Sequence, residues 1–277
     1  TDSLNIHNIM TIDILICSYN KGIVRMDDVL LPPQEGIHYI VSYQYSDERY
    51  LDLIPKLLAT RADVTIFKYK GQGLSVNRNL AVEKASADLI MFADDDTRLS
   101  PNAFQDVRKV FEKYPDLDIA FFNASTYTGK PLKKYPKEEM WLTGMPQGYT
   151  ISAIEIAAKR ECVQNRLRFD ERFALGTKFL TCGEEEIWME DAVKAGLKMR
   201  YFPIKTVETS TLLKKSLLYV DAGVQRSFGA VTYYKHREKA WLICFNFALQ
   251  AAKDGYCHFW PLMRHFSEGI RYMKRTK

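Results

Sequence analysis

Over its first 125 residues the chain alternates short apolar runs with longer stretches of helical spacing, and this alternation narrows the fold more than any other feature. Ile12–Cys17, His38–Tyr43, Asp63–Phe67, Asp88–Ala93 and Leu117–Phe122 read as strands. Two of them are almost wholly apolar, as strands covered on both faces must be. Between them, Asp47–Leu58, Leu74–Ala85 and Ala103–Tyr114 repeat their apolar residues at helical intervals. Strand, helix, strand in regular order predicts right-handed crossovers and a mostly parallel sheet.

The rest of the chain is less regular. Thr126–Tyr149 is rich in Pro, Gly and Lys and reads as a long surface excursion. A helix is expected after Gly183, then a strand over Leu197–Phe202 ended by Pro203. Thr206–Lys215 reads as a polar loop of the kind that covers a site, and the last sixty residues as two or three helices broken at Pro261.

Composition excludes several classes. Hydrophobic residues make up 47% and charged residues 26% of 277, which rules out disorder and collagen-like repeats. The net charge of +5 is too small and scattered to argue for nucleic acid, and suits an anionic small molecule or membrane face. The longest apolar stretch, Ala240–Ala252, is interrupted by Asn246 and Gln250 and falls short of the roughly 20 residues a spanning helix needs. Five widely spaced cysteines form no Cys-x-x-Cys, so neither a disulfide framework nor a zinc site is expected. With no basic, apolar leader at Thr1–Met10, a cytoplasmic protein is expected, with peripheral membrane contact through its C-terminus as an added reading.

Three motifs carry chemistry. Asp94-Asp95-Asp96 comes directly after an apolar strand, and in open α/β sheets ligands bind beyond the carboxyl ends of strands. Adjacent carboxylates repel unless a cation joins them, and hard cations such as Mn²⁺ or Mg²⁺ take such oxygens while bridging to phosphates. The bland alternative is a solvated acidic turn. Gly71-Gln-Gly-Leu-Ser-Val-Asn-Arg-Asn79 is a glycine turn entering a helix, which offers free N–H groups to an anion. Gly183-Glu184-Glu185-Glu186 opens another helix, where acidic residues suit the dipole, yet three exceed what capping needs. The five histidines show no ligand spacing, and no nucleophile motif is present.

In order along the chain these pieces resemble glycosyltransferase family 2, over about Thr11 to Pro203. Ile14-Leu-Ile-Cys-Ser-Tyr-Asn-Lys21 looks like the family's opening strand and turn. Gly73 through Asp96 looks like its Arg-Asn helix, apolar strand and Asp-x-Asp. Phe169-Asp-Glu-Arg-Phe173, then Gly183-Glu-Glu and Ala195-Gly196-Leu-Lys, is similar to its acceptor-side segment.

The resemblance implies an α/β, GT-A-like (Rossmann-like) fold: a mostly parallel central sheet flanked by helices, with a C-terminal helical appendage. The glycosyltransferase domain would span 11–203, its nucleotide half about 11–125 and acceptor half about 126–203, and residues 204–277 would pack on it. The implied activity is inverting transfer from a nucleoside diphosphate sugar, UDP first among nucleotides, to a glycan or lipid-linked acceptor, in polysaccharide biosynthesis. By the same resemblance Ser18, Tyr19, Gln44, Arg78, Asp94 and Asp95 would bind the nucleotide sugar. Asp96 with Asp94 would hold Mn²⁺ or Mg²⁺, Glu185 would be the base, and Glu184 and Trp188 would lie on the acceptor side. Gln44 stands where relatives often carry an acid, and Glu185 where they usually carry Asp. Rival readings are an inactive nucleotide-sugar-binding partner in polysaccharide assembly and an aspartyl phosphohydrolase, the latter discounted because Arg98 occupies the Thr position of Asp-x-Asp-x-Thr.

Overall fold

A computed structural model describes residues 9–145, 149–210 and 216–276. Among them run nine strands: β1 (Ile12–Tyr19), β2 (Ile37–Tyr45), β3 (Val64–Lys70), β4 (Leu89–Asp94), β5 (Thr97–Leu99), β6 (Ile119–Thr126), β7 (Met140–Leu142), β8 (Ile156–Lys159) and β9 (Met199–Thr209). The helices are α1 (Met26–Val29), α2 (Leu57–Thr60), α3 (Leu74–Lys84), α4 (Ala103–Lys113), α5 (Arg160–Gln164), α6 (Glu184–Lys194), α7 (Leu217–Val220), α8 (Ala222–His236), α9 (Ala240–Lys253) and α10 (Phe259–Arg275).

The strands form one sheet in the order β3-β2-β1-β4-β8-β6-β9-β5, with β7 also on β9. The first four are parallel throughout, whereas β8 runs antiparallel to β4 and β6, and β6 and β9 are parallel again. Both faces are covered, which explains the unbroken apolar runs. On β1, Ile12, Ile14 and Ile16 join Phe104, Val107 and Phe111 of α4. Leu15 points the other way, into a core with Ala81 and Val82 of α3 and Trp188 and Met189 of α6.

The sequence expectations for β1, β2, β3, β4, β6, α3, α4 and α6 are met in place. Three others are corrected. Asp47–Leu58 is not one helix but a 3-10 turn (Glu48–Leu53) and the short α2, because Pro55 lies between them and cannot donate into a continuing helix. Pro203 does not end its strand. It falls where the β6–β9 register shifts, at a bulge where a missing N–H breaks no ladder bond. Thr206–Thr209, expected in a loop, completes β9, and residues 211–215 lie outside the described set.

A second shift, between Lys205 and Val207, resets the alternation of β9. Met199 and Tyr201 face the α3–α6 side, while Phe202, Ile204 and then Val207 face the α4 side. Thr126–Tyr149, apart from residues 146–148 outside the described set, is an excursion pinned to the body. Lys133 Nζ and Tyr135 Oη donate to the fully buried Glu155 carboxylate at 2.9 and 2.5 Å.

The C-terminal helices close over a third core, in which Phe173, Leu180 and Ile187 meet Ala230, Cys244, Leu262, Phe266 and Ile270. Helices α8 and α10 cross at two glycines. A Cβ on Gly229 would collide with the Phe266 backbone, and one on Gly269 with that of Arg226.

Candidate active site

The parallel register brings the carboxyl ends of β1, β2 and β4 side by side, Tyr19 beside Gln44 and Cys17 beside Asp94. Ser18 and Gln44 are buried there, and Tyr19 is 40% exposed with its hydroxyl 3.4 Å from Gln72 Oε1.

Helix α3 is stitched to this edge by polar side chains. Asn77 Nδ2 donates to the Ser18 carbonyl (3.2 Å), and Ser75 Oγ to that of Phe173 (3.0 Å). Asn79 makes a reciprocal pair with the Phe169 backbone, 2.9 Å each way. The Arg-Asn pattern and Phe169–Phe173 are therefore two halves of one joint.

That joint aims Arg78, only 3% exposed, under the cleft. Its Nη1 lies 3.0 Å from Glu184 Oε1 and 3.2 Å from Glu185 Oε1, and its Nη2 lies 3.7 Å from Asp94 Oδ1. The guanidinium stands 5.3 Å over the Phe169 ring, which stacks on Trp188. Both glutamates come from the first turn of α6, where the helix dipole favours them. Gly183 starts that turn in the left-handed region (φ 99°), a conformation other residues avoid.

The electrostatics are set by burial and crowding. Burial works against the Arg78 charge, but Glu185, Asp94 and Glu184 more than offset it and hold the guanidinium protonated. Burial, with the neighbouring Glu185, pushes Glu184 up to about 8, against the pull of Arg78. Glu184 Oε2 is buried with no hydrogen-bond partner among the described residues. Asp94 is raised by burial and by Asp96, Glu185 and Asp95, against Arg78. Asp95 is raised by burial despite accepting from Ser18 Oγ (2.8 Å) and pairing with Arg25. A Cβ on Gly22 would land on the Asp95 carboxylate, so that acid packs where only glycine leaves room. Asp96 Oδ2 accepts from Ser210 Oγ (2.6 Å), and its carbonyl from Tyr127 Oη (2.7 Å).

The sequence-chosen residues thus gather at the carboxyl ends of β1, β2 and β4 and the start of α6, with two qualifications. Trp188 is fully buried in the core rather than open to an acceptor, and Glu184 is turned inward onto Arg78. Arg25, Gly22, Tyr127 and Ser210 stand outside every sequence motif, and Asn77 and Asn79, inside the Gly71–Asn79 motif, take joint-forming roles that the motif alone does not specify.

Four carboxylates (Asp94, Asp95, Glu184, Glu185) meet two guanidiniums, Arg78 and Arg25, with Asp96 close enough to act on Asp94 and Asp95, and the resulting negative excess suits a divalent cation. Among the described residues no three His, Cys, Asp or Glu form a ready cage. The protein would give one or two oxygens and leave the rest to phosphates and water, the habit of Mg²⁺ sites. The described helices include none long and apolar enough to cross a membrane.

Acidic residues gathered at the strand ends of a sheet flanked by helices are the arrangement of the GT-A fold. The family model of Glycosyl transferase family 2 matches residues 14–173, and the chain belongs to that family. In structure it is similar to S. aureus TarS 1–349 (TM-score 0.60, 10% identity, covering 97% of this chain and 92% of that one). It is also similar to the same protein in complex with UDP-GlcNAc (TM-score 0.58, 10% identity, 97% and 93%) and with UDP (0.52, 13%, 88% and 72%). No curated protein matches it in sequence.

Proposed function

We propose that the protein transfers a sugar from a nucleoside diphosphate sugar, with UDP as the nucleotide, to a hydroxyl of a glycan or lipid-linked acceptor, inverting the anomeric carbon. The observation that carries this reading is the Arg78 cluster. One buried cation gathers Asp94 from the nucleotide half and Glu185 from the acceptor half into one cleft, in a chain of a glycosyltransferase family. UDP is favoured because the structurally similar TarS was solved with UDP-GlcNAc and with UDP.

In this reading Ser18, Tyr19 and Gln44 line the base pocket, and Asp94 and Asp95 bind the ribose side of the donor. Asp96 with Asp94 would hold Mn²⁺ or Mg²⁺, which would supply charge stabilisation at the departing phosphates. Glu185, 20% exposed in its side chain and anchored on Arg78, takes the acceptor proton as the hydroxyl oxygen attacks the anomeric carbon. The bond to the diphosphate breaks in the same displacement, and the nucleoside diphosphate leaves with the electron pair. A positioned base is worth about 10²–10⁴ in rate. Arg78 anchors the Glu185 carboxylate and Glu184 completes its cradle. Trp188 backs the Phe169 ring beneath it.

The deciding experiment is calorimetric titration of wild type and Asp96→Ala with UDP, GDP, dTDP and CMP, with and without Mn²⁺, and then donor turnover in Glu185→Gln. Tight UDP binding that needs both Mn²⁺ and Asp96, with turnover lost in Glu185→Gln but binding kept, supports the proposal. Absence of metal-dependent binding would leave a partner protein of polysaccharide assembly. Full turnover in Glu185→Gln would remove the base assignment.

A further inference from the structure

Helix α9 is amphipathic in the inverse sense. Its inward face carries the small residues Ala240, Cys244, Ala248 and Ala251, all buried. Its large apolar side chains point out: Leu242 is 64% exposed, Phe245 45% and Leu249 38%. Spaced three, then four residues apart, these share one face. Soluble helices turn large apolar groups inward, and a contiguous outward set marks an interaction surface.

The face continues onto α10. Phe245 meets Phe259 edge-on at 5.3 Å, and Phe259 meets Trp260 at 5.0 Å. Trp260 is 80% exposed. Arg264 and Arg271, four and eleven positions on, share its side of the helix. A groove of about 400 Å³ runs between Phe245 and these arginines.

Charge names the occupant. Residues 236–277 hold eight Lys and Arg against three Asp and Glu, an excess of five, which equals the +5 of the whole chain, so residues 1–235 are balanced. Each of those acids is already engaged: Glu238 by Lys274, Glu268 by Arg264 and Arg226, Asp254 by Gln250. Lys239 and Lys253 flank the apolar face at the two ends of α9, and neither they nor Arg271 forms an ion pair among the described residues. A second copy packed face to face would set these cations against themselves. A flat anionic surface with an apolar interior matches both the charge and the greasy face.

We propose that the α9–α10 face docks on an anionic lipid bilayer, with Leu242, Phe245, Leu249 and Trp260 entering the headgroup boundary and Lys239, Lys253, Arg264 and Arg271 meeting lipid phosphates. Helix α9 lies in the plane of the bilayer, since its 14 residues do not span one. The inference stands apart from the cleft chemistry and holds whatever the transferred group is.

The test is sedimentation of the full chain with phosphatidylcholine vesicles and with the same vesicles containing phosphatidylglycerol, at low and high salt. The bound fraction should rise about tenfold or more on the anionic vesicles and fall with salt. Trp260 emission should be quenched by brominated lipid, and the signal should vanish in Trp260→Phe. Leu242→Glu with Leu249→Glu should abolish binding while melting temperature and UDP affinity stay unchanged. Lys239→Glu with Lys253→Glu should remove the salt-sensitive part. Failure of the wild type to bind anionic vesicles overturns the proposal, as does binding that survives Leu242→Glu with Leu249→Glu. A dimer of the wild type that dissociates in that double variant overturns it too, by giving the face to a second copy. UDP titration of the same samples reports separately on the cleft.

Discussion

Arg78 Nη1 and Glu185 Oε1 stand 3.2 Å apart across 107 residues of chain. With Glu184 and Asp94 on the same guanidinium, removing Arg78 would strand three acids around a buried void. Breaking a buried ion cluster by deleting one partner costs about 3–5 kcal/mol. Arg78→Met should lose that much in urea unfolding and should lose UDP binding. Arg78→Lys should fall between, because one ammonium cannot reach the carboxylates as a planar fork does.

Glu184 makes stability depend on pH in a definite sense. Its carboxyl moves from the ordinary 4.5 in the unfolded chain up to about 8 when folded, chiefly by burial. Between those values the native state holds the extra proton. This group's contribution is therefore fully present below the lower value and is lost as pH rises through the upper one. Glu184→Gln keeps a neutral side chain at every pH. The melting temperature of the variant minus that of the wild type should therefore grow steadily from about pH 5 to about pH 8.5. A flat difference across that range would contradict the assignment.

Gly22 separates folding from binding. A methyl there meets only the mobile end of Asp95, which can swing away from Ser18 and Arg25. Gly22→Ala should change unfolding free energy by less than about 1 kcal/mol. Its affinity for UDP, titrated calorimetrically, should nonetheless drop several-fold.

Gly269 is the opposite case. Its added Cβ would strike the Arg226 carbonyl, backbone against backbone, so α8 and α10 would have to part. Gly269→Ala should destabilise by about 2–3 kcal/mol in chemical denaturation, as overpacked contacts do. Donor affinity measured below the transition should hold, since the cleft is built elsewhere.

Much of this arrangement is legible in the amino-acid sequence alone. Apolar runs such as Ile12–Cys17 and Asp88–Ala93 announce buried parallel strands, and residues just past the end of such a strand sit at the ligand edge, so position alone places Asp94–Asp96. Strands β5, β7 and β8 escape such a reading, being three or four residues long with no room for a period. The partners of the acids are hidden for another reason. Arg25 meets Asp95 across 70 residues and Ser210 meets Asp96 across 114, and single-sequence spacing carries no trace of such pairings. Trp188 draws attention as an aromatic beside acidic residues, but its helical phase points it inward with Met189.

The bulge at Pro203 has a consequence for how this chain tolerates insertions and deletions. Between Tyr201 and Val207 β9 advances six residues while β6 advances three, from Phe121 to Ala124, and that surplus sets Val207 in the α4-side core and Ser210 beside Asp96. Because Ile204 and Val207 already share a face three residues apart, losing Lys205 or Thr206 would leave Val207 two places on and still turned toward α4. A one-residue deletion at 205–206 should therefore be tolerated better than loss of Arg200, where regular alternation holds Met199 and Tyr201 on one face.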